Sequence, residues 1–256
     1  MKTRKSLTAI CLSLALLASL HVDAEAQRRG GGGGGNRNRT GTVNRTGPKG
    51  SSTGTFRTQV QPDRANKTRT VNRDGEVSTP KGDRTVQGQS TTERTGENTY
   101  DRDWSRTTTD SQGQSRTRTG EGSGTVEKTD SGFTRTYQGT TTTPNGQQYN
   151  VSKTAETVKT DSGLERDTTR TVTDSAGNVV GTGQSHTDGV KGQGTTTTGS
   201  WTGSAGQTTT YEGQTQRGED GLDRTWMTTG PEGQTRSGES HWTVEVQPTP
   251  EAEPED

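Results

Sequence analysis

The sequence predicts an all-β chain, a repetitive antiparallel β-hairpin meander with disordered tails at both ends. Glycine-containing turns recur with a period of about 31 residues, and each period holds two turns and two strand-length segments. Between the turns, successive side chains alternate in character, which is typical of strands. Hydrophobic residues make up only 18% of the chain, so we expect a single-layer or elongated sheet and no ordinary apolar core.

Residues 1–26 have the features of a secretory signal peptide. Basic residues between Met1 and Lys5 precede the apolar run LTAICLSLALLASL, and Ala24 and Ala26 supply the small residues of a cleavage site. The apolar run is shorter than the roughly 20 residues that a membrane-spanning helix needs. We therefore expect a secreted or extracytoplasmic protein, in the periplasm or at the cell surface, with no membrane span after signal removal.

Charge and glycine content divide the remaining chain into three regions. Residues 27–73 form a predicted flexible basic arm, rich in glycine and arginine, with a degenerate first repeat at its end. Residues 74–246 form the predicted β-repeat region. Residues 247–256 form an acidic, proline-containing tail.

Two sets of turns alternate along the predicted meander. Asp, Ser, Asn and Pro before Gly favour tight turns, and Gly accepts a positive φ without steric cost. The first set ends at Gly50, Gly82, Gly113, Gly146, Gly177, Gly206 and Gly233. The second set is predicted at Gly75, Gly132, Gly163, Gly189 and Gly221, and between Glu97 and Thr99.

Alternate positions of the strands that follow the second set carry an arginine flanked by aromatic or aliphatic residues. Because alternate strand residues point the same way, these side chains are expected to share one face. The candidate binding residues are Tyr100, Arg102, Trp104, Phe133, Arg135, Tyr137, Arg166, Arg224 and Trp226. Rings and guanidinium groups in this spacing suit stacking on sugars and pairing with carboxylates or sulfates. The simpler interpretation is mutual packing of neighbouring strands.

Alternative folds remain open at this point. So polar a chain recovers little from apolar burial against its conformational entropy, so large-scale intrinsic disorder is one alternative. A β-solenoid is another, and a closed barrel is a third. An outer-membrane barrel is excluded by the sequence argument, since no strand shows a row of apolar residues that could face lipid.

The expected function is non-enzymatic. We predict a secreted or cell-surface repeat protein with a structural or adhesive role in a matrix or surface layer, self-associating through exposed sheet edges. The alternative is a module that binds extracellular polysaccharide or another anionic glycan through the arginine and aromatic residues. No sequence motif indicates a catalytic site, a metal site, a cofactor or specific nucleic-acid binding.

Overall fold

A computed structural model describes residues 37–48, 50–218 and 220–247, so the predicted signal peptide and nearly all of the acidic tail lie outside the described residues. The described chain is built from fourteen β-strands joined by short turns. The strands are β1 (Arg37–Gly47), β2 (Gly50–Asp63), β3 (Thr68–Thr79), β4 (Gly82–Arg94), β5 (Thr99–Asp110), β6 (Ser115–Lys128), β7 (Gly132–Thr142), β8 (Gln148–Lys159), β9 (Gly163–Asp174), β10 (Val179–Val190), β11 (Gly194–Gly203), β12 (Thr208–Arg217), β13 (Gly221–Thr229) and β14 (Thr235–Gln247).

The strands form one closed barrel in which every strand pairs antiparallel with its neighbours in sequence. β1 and β14 close the barrel along a ladder that runs from the Asn38–Gln247 pair to the Thr46–Glu239 pair. Following the ladders once around the barrel returns to β1 displaced by roughly 18 residues, a stagger that goes with a strand tilt of about 45°. The predicted antiparallel meander is confirmed, whereas an open sheet, a solenoid and disorder are wrong for the described residues.

The first set of predicted turns is confirmed. Its seven glycines all have a positive φ, between 77° and 104°. In the second set, Gly75 and Gly189 were wrongly assigned to turns, because both lie inside paired strands, β3 and β10. The turn that precedes β3 comprises residues 64–67, and the turn that follows β10 comprises residues 191–193.

The barrel also begins earlier than the sequence suggested. β1, β2 and the first half of β3 lie within residues 27–73, where the sequence predicted a flexible arm with a degenerate repeat. Glycine and arginine occur in these strands for the same reasons as in the later ones, so the composition of the segment concealed its strand pattern. The change at residue 73 is therefore not a boundary in this fold.

Successive side chains alternate between a concave lumen face and a convex outer face. Side chains on the concave side crowd together, and the buried apolar residues Val71, Val151, Ala155 and Val172 all lie there. None of the described side chains is completely buried, so the lumen is not a dry, packed core. The outer face is rich in threonine, and cross-strand hydroxyl pairs such as Thr107–Thr117, at 2.8 Å, connect its strands.

Glycines on the lumen face make room for aromatic rings from the adjacent strand. A Cβ placed on Gly120 would lie 2.4 Å from Nε1 of Trp104, and one on Gly238 would lie 2.7 Å from Cζ2 of Trp226. Rings that cover glycines of a neighbouring strand compensate for the missing side chain and fix the register. Glycine, normally unfavourable in strands, is therefore part of the packing.

Gly124→Ala should destabilise the barrel. The new Cβ would lie 2.2 Å from the carbonyl oxygen of Thr136 and 2.6 Å from the ring of Tyr100. Overpacking of this kind typically costs about 1–3 kcal/mol in the free energy of unfolding. Gly88→Ala is the matched control, since its Cβ would meet the carbonyl oxygens of Ser105 and Arg73 at ordinary distances of 3.6 Å and 3.9 Å. Denaturant unfolding followed by circular dichroism measures both, and equal stabilities of the two variants would contradict the ring-on-glycine packing.

Candidate functional site

The nine predicted ladder residues all lie on the lumen face. They are Tyr100, Arg102 and Trp104 on β5, Phe133, Arg135 and Tyr137 on β7, Arg166 on β9, and Arg224 and Trp226 on β13. β5, β7 and β9 are separated from one another by a single strand each, so the first seven residues form one neighbourhood. β13 lies elsewhere on the wall, and the ladder is therefore not continuous.

The aromatic members of the ladder pack against the wall and against arginines. The Tyr100 hydroxyl donates to the Thr136 carbonyl at 3.1 Å. The Arg135 guanidinium lies 5.1 Å from the ring centre of Phe133, and that of Arg45 lies 4.9 Å from the ring centre of Trp226. Packing, the simpler of the two sequence interpretations, accounts for these rings, and ligand binding by them stays a prediction.

Charge is sorted between the two faces of the barrel. Among the described strand side chains, every Lys and Arg except Arg57 lies on the lumen face, and every carboxylate except Asp110 and Asp174 lies on the outer face. The half-buried lumen cations are Arg39, Arg45, Arg73, Arg102, Arg106, Arg118, Arg135, Lys153, Arg166, Arg170 and Arg224. The lumen therefore carries a large excess of positive charge.

The two lumen-face carboxylates stand at the barrel end and bind turn amides. Asp110 accepts from the backbone N–H groups of Gln112 and Gln114, both at 3.0 Å. Asp174 accepts from the corresponding amides of its own turn and from the Asn178 side chain, and these hydrogen bonds hold its pKa below the ordinary value. Both groups are thus engaged in turn formation at the rim.

The lumen arginines repel one another. Burial lowers the pKa of Arg73, and the neighbouring charges of Arg102 and Arg69 lower it further. Burial and the charge of Arg118 do the same for the pKa of Arg106. Like charges that lie close together in a partly desolvated wall are stabilised by an anion placed between them.

Some guanidinium donors in the wall have no acceptor. The Nε atoms of Arg102 and Arg170 are buried and have no hydrogen-bond partner among the described residues. An unmatched buried donor costs free energy, so an acceptor oxygen that reaches it is favoured. The sequence predicted Arg102 as a binding residue but did not single out Arg73, Arg106 or Arg170. Their alternation with Val71, Trp104 and Val172 on the same face was the available signal.

The outer face carries two histidines clamped by aspartates. His186 is bonded through Nδ1 to Asp167 at 2.8 Å and through Nε2 to Asp188 at 3.1 Å. His241 is bonded through Nδ1 to Asp223 at 2.7 Å. In both cases the histidine and the first aspartate are directly paired residues of adjacent strands. Neither clamp can be predicted from the sequence, because pairing across strands is not visible in it.

Other features of the described residues do not form a site. No group of three or more His, Cys, Asp and Glu side chains in the described ranges could hold a metal ion. Within those same ranges, no helix is long and apolar enough to cross a membrane. A depression of about 460 Å³ lies around Phe56, beside Gly41 and Gly75. Residues of both faces of the sheet line it, so it is an open depression and not an enclosed chamber.

A known outer membrane protein shares this fold. The outer membrane protein Omp33 of Acinetobacter baumannii matches with a TM-score of 0.56 at 8% identity, over 81% of this chain and 97% of that chain. The translocator domain of the autotransporter NalP from Neisseria meningitidis matches more weakly, with a TM-score of 0.33 at 11% identity, over 93% of this chain and 96% of that chain, which is too low a score to show a common fold. No family model and no curated protein matches the chain. The similarity to Omp33 shows a common closed-barrel fold.

These findings correct the predicted function. A structural or adhesive surface role through self-association needed exposed sheet edges, and the closed barrel has none along its described strands. The alternative, a glycan-binding module, needed the ladder on an open face for extracellular polysaccharide, and the ladder lines the lumen. The exclusion of an outer-membrane barrel, and with it of any membrane span after signal removal, is overturned by the fold shared with Omp33.

The pKa of His186 should lie above 6.5, because hydrogen bonds to Asp167 and then to Asp188 favour its protonated form. The resulting stabilisation is fully present below the unfolded pKa and is lost as the pH rises through the raised folded value. An NMR titration of the imidazole signals measures this pKa. Asp167→Asn should lower it and leave His241 unchanged. A wild-type value at or below 6.5 that does not respond to Asp167→Asn would contradict the clamp.

Proposed function

We propose that this chain is an extracytoplasmic β-barrel that takes small anionic solutes into its lumen and lets them pass. The observation that carries the proposal is the sorting of charge, with the strand cations inside and the strand carboxylates outside. A cavity lined by one sign of charge concentrates ions of the opposite sign and speeds their entry. The role needs no catalytic group, in keeping with the prediction that the protein is not an enzyme.

The size of the barrel is compatible with a wet lumen. Eight-stranded barrels are filled by their own side chains, whereas barrels of sixteen to eighteen strands leave an aqueous channel. Fourteen strands lie between these cases but closer to the second, and they correspond to a barrel radius of roughly 14 Å. The absence of completely buried side chains in the described strands also supports access of water and small ions to the lumen.

The location rests on two supports. Residues 1–26 have the composition of an export signal, and the barrel shares its fold with an outer membrane protein. An extracytoplasmic location is therefore part of the proposal.

The outer face of the barrel is mainly polar. Its strand residues are mainly threonine, glutamine and carboxylates, with Val158, Val190 and Met227 among the few apolar ones. On the lipid face of a barrel, Lys or Arg at the bilayer midplane costs about 2–4 kcal/mol, and Asp or Glu costs less. Because the outer face carries carboxylates, the proposal concerns the lumen. The positive charge of the lumen comes from side chains that the outer surroundings do not contact.

Tryptophan fluorescence tests the proposal without a membrane. All four tryptophans, Trp104, Trp201, Trp226 and Trp242, lie on the lumen face. Iodide should therefore quench the folded chain several-fold more efficiently than caesium, each normalised to neutral acrylamide, and added salt should reduce the difference. The unfolded chain is the control, since it should lose most of the preference. Equal quenching by the two ions in the folded chain would contradict an anion-selective lumen.

Passage is tested separately by planar-bilayer recording under a potassium chloride gradient. The reversal potential should show selectivity for chloride. A selectivity for potassium would contradict the proposed role of the lumen arginines. Anion-selective quenching combined with no conductance in any bilayer would restrict the function to uptake of anions into the lumen.

A further inference from the structure

A particular section of the lumen wall has the features of a binding site for a compact oxyanion. On the lumen face, β4 presents only small residues at Gly88, Ser90 and Thr92, and arginines stand on the strands to either side. Gly88 is paired with Arg73 on β3 and with Arg106 on β5. Thr92 is paired with Arg102 on β5. The row on β4 is thus the floor of a groove with arginine walls.

The dimensions follow from the pairing. Strands lie about 4.8 Å apart, so the backbones of Arg73 and Arg106 are separated by about 10 Å, with only a glycine between them. Arg102 projects from the same face as Arg106, four residues earlier on β5. Arg69 on β3 is paired with Thr92 from the other side, so four arginines border this row of small residues. Three of them, Arg73, Arg102 and Arg106, are half-buried, whereas Arg69 is exposed.

The positive charges along the groove favour binding of an anion. Arg102 lies close enough to Arg73 to disfavour its charge, and the Nε of Arg102 is buried with no acceptor among the described residues. Ser90, in the middle of the floor, is paired with Val71 and Trp104 and is buried to 7% exposure. The lumen-face carboxylates Asp110 and Asp174 are bonded to turn amides at the rim.

We propose that Arg73, Arg102 and Arg106 form a binding site for a tetrahedral oxyanion of the phosphate or sulfate type over the β4 floor. Planar guanidinium groups bind such oxygens in a bidentate manner, which a monatomic anion such as chloride cannot match. This inference rests on the proposed anion-taking lumen and names the solute class and the residues that select it.

Trp104 supplies the readout, because it lies between Arg102 and Arg106 on the same face and is paired with Ser90. Titration with inorganic phosphate at constant ionic strength should change the tryptophan fluorescence saturably, and chloride should not. A parallel titration with sulfate distinguishes the two oxyanions, and the tighter one identifies the ligand. Saturable binding of either supports the site, whereas a response to neither, in a chain that still prefers iodide over caesium, would overturn it and leave the proposed function standing.

Substitutions locate the site. Arg102→Lys keeps the charge but loses the fork, so it should weaken oxyanion binding by about tenfold or more, as expected for loss of a charge-assisted hydrogen bond, while the iodide preference is retained. Arg73→Gln, Arg102→Gln and Arg106→Gln should weaken binding to a similar degree. Arg45→Gln is the lumen control and Arg57→Gln the outer-face control, and both should bind like the wild type.

An equal loss in Arg45→Gln and Arg102→Gln would overturn the site, because it would show a diffuse effect of lumen charge. If the folded wild type showed no preference for iodide over caesium, the proposed function itself would be overturned. Circular dichroism melting of each variant confirms folding, and Arg102→Lys keeps the test decisive if Arg102→Gln does not fold.

Discussion

Closure of β1 on β14 is the constraint on which the rest of the structure depends. A chain with 18% hydrophobic residues cannot rely on an apolar core, so backbone hydrogen bonding between strands has to contribute more. A flat meander would leave two edges with unpaired N–H and C=O groups, and closure removes both. Closure also makes the two faces of the sheet different, because one becomes concave and crowded and the other convex and wet.

This difference between the two faces explains why residue types alternate along the strands. Arginines and rings are long enough to fill the space inside the barrel, and glycines on adjacent strands admit the rings, as where Trp104 covers Gly120. Threonines and carboxylates, on the convex side, are bonded across strands or exposed. The concentration of cations that follows from this arrangement is costly for the barrel alone, and the proposed anion would offset that cost. Structure and proposed function therefore depend on the same sorting of side chains.

The sequence predicts the local part of this structure well. Turn glycines with positive φ, strand alternation and the common face of Arg102, Arg135 and Arg166 all follow from short-range rules. What the sequence does not reveal is long-range. The stagger that brings Asn38 opposite Gln247 depends on all the ladders together, so closure and the identity of the inner face could not be derived from any single repeat.

Glycine was the residue most easily misread. Gly75 resembles a turn glycine in sequence, yet it lies across from Phe56 inside a strand, where the neighbouring backbone comes close. The same composition hid β1 and β2 in the glycine- and arginine-rich segment. The recurrence of glycine at lumen-face positions across from aromatic residues, as at Gly124 and Tyr100, is a signal that would have indicated packing.

Thiol labelling of two adjacent positions on β11 tests the central claim most directly. In a Cys11→Ser background, Thr197→Cys places a thiol on the lumen face and Thr198→Cys places one on the outer face. The closed barrel predicts that a bulky polymer-linked maleimide labels position 198 quickly and position 197 far more slowly in the folded chain, while both react alike after unfolding. Equal rapid labelling of the two positions in the folded chain would show an open sheet and would contradict the enclosed cationic lumen.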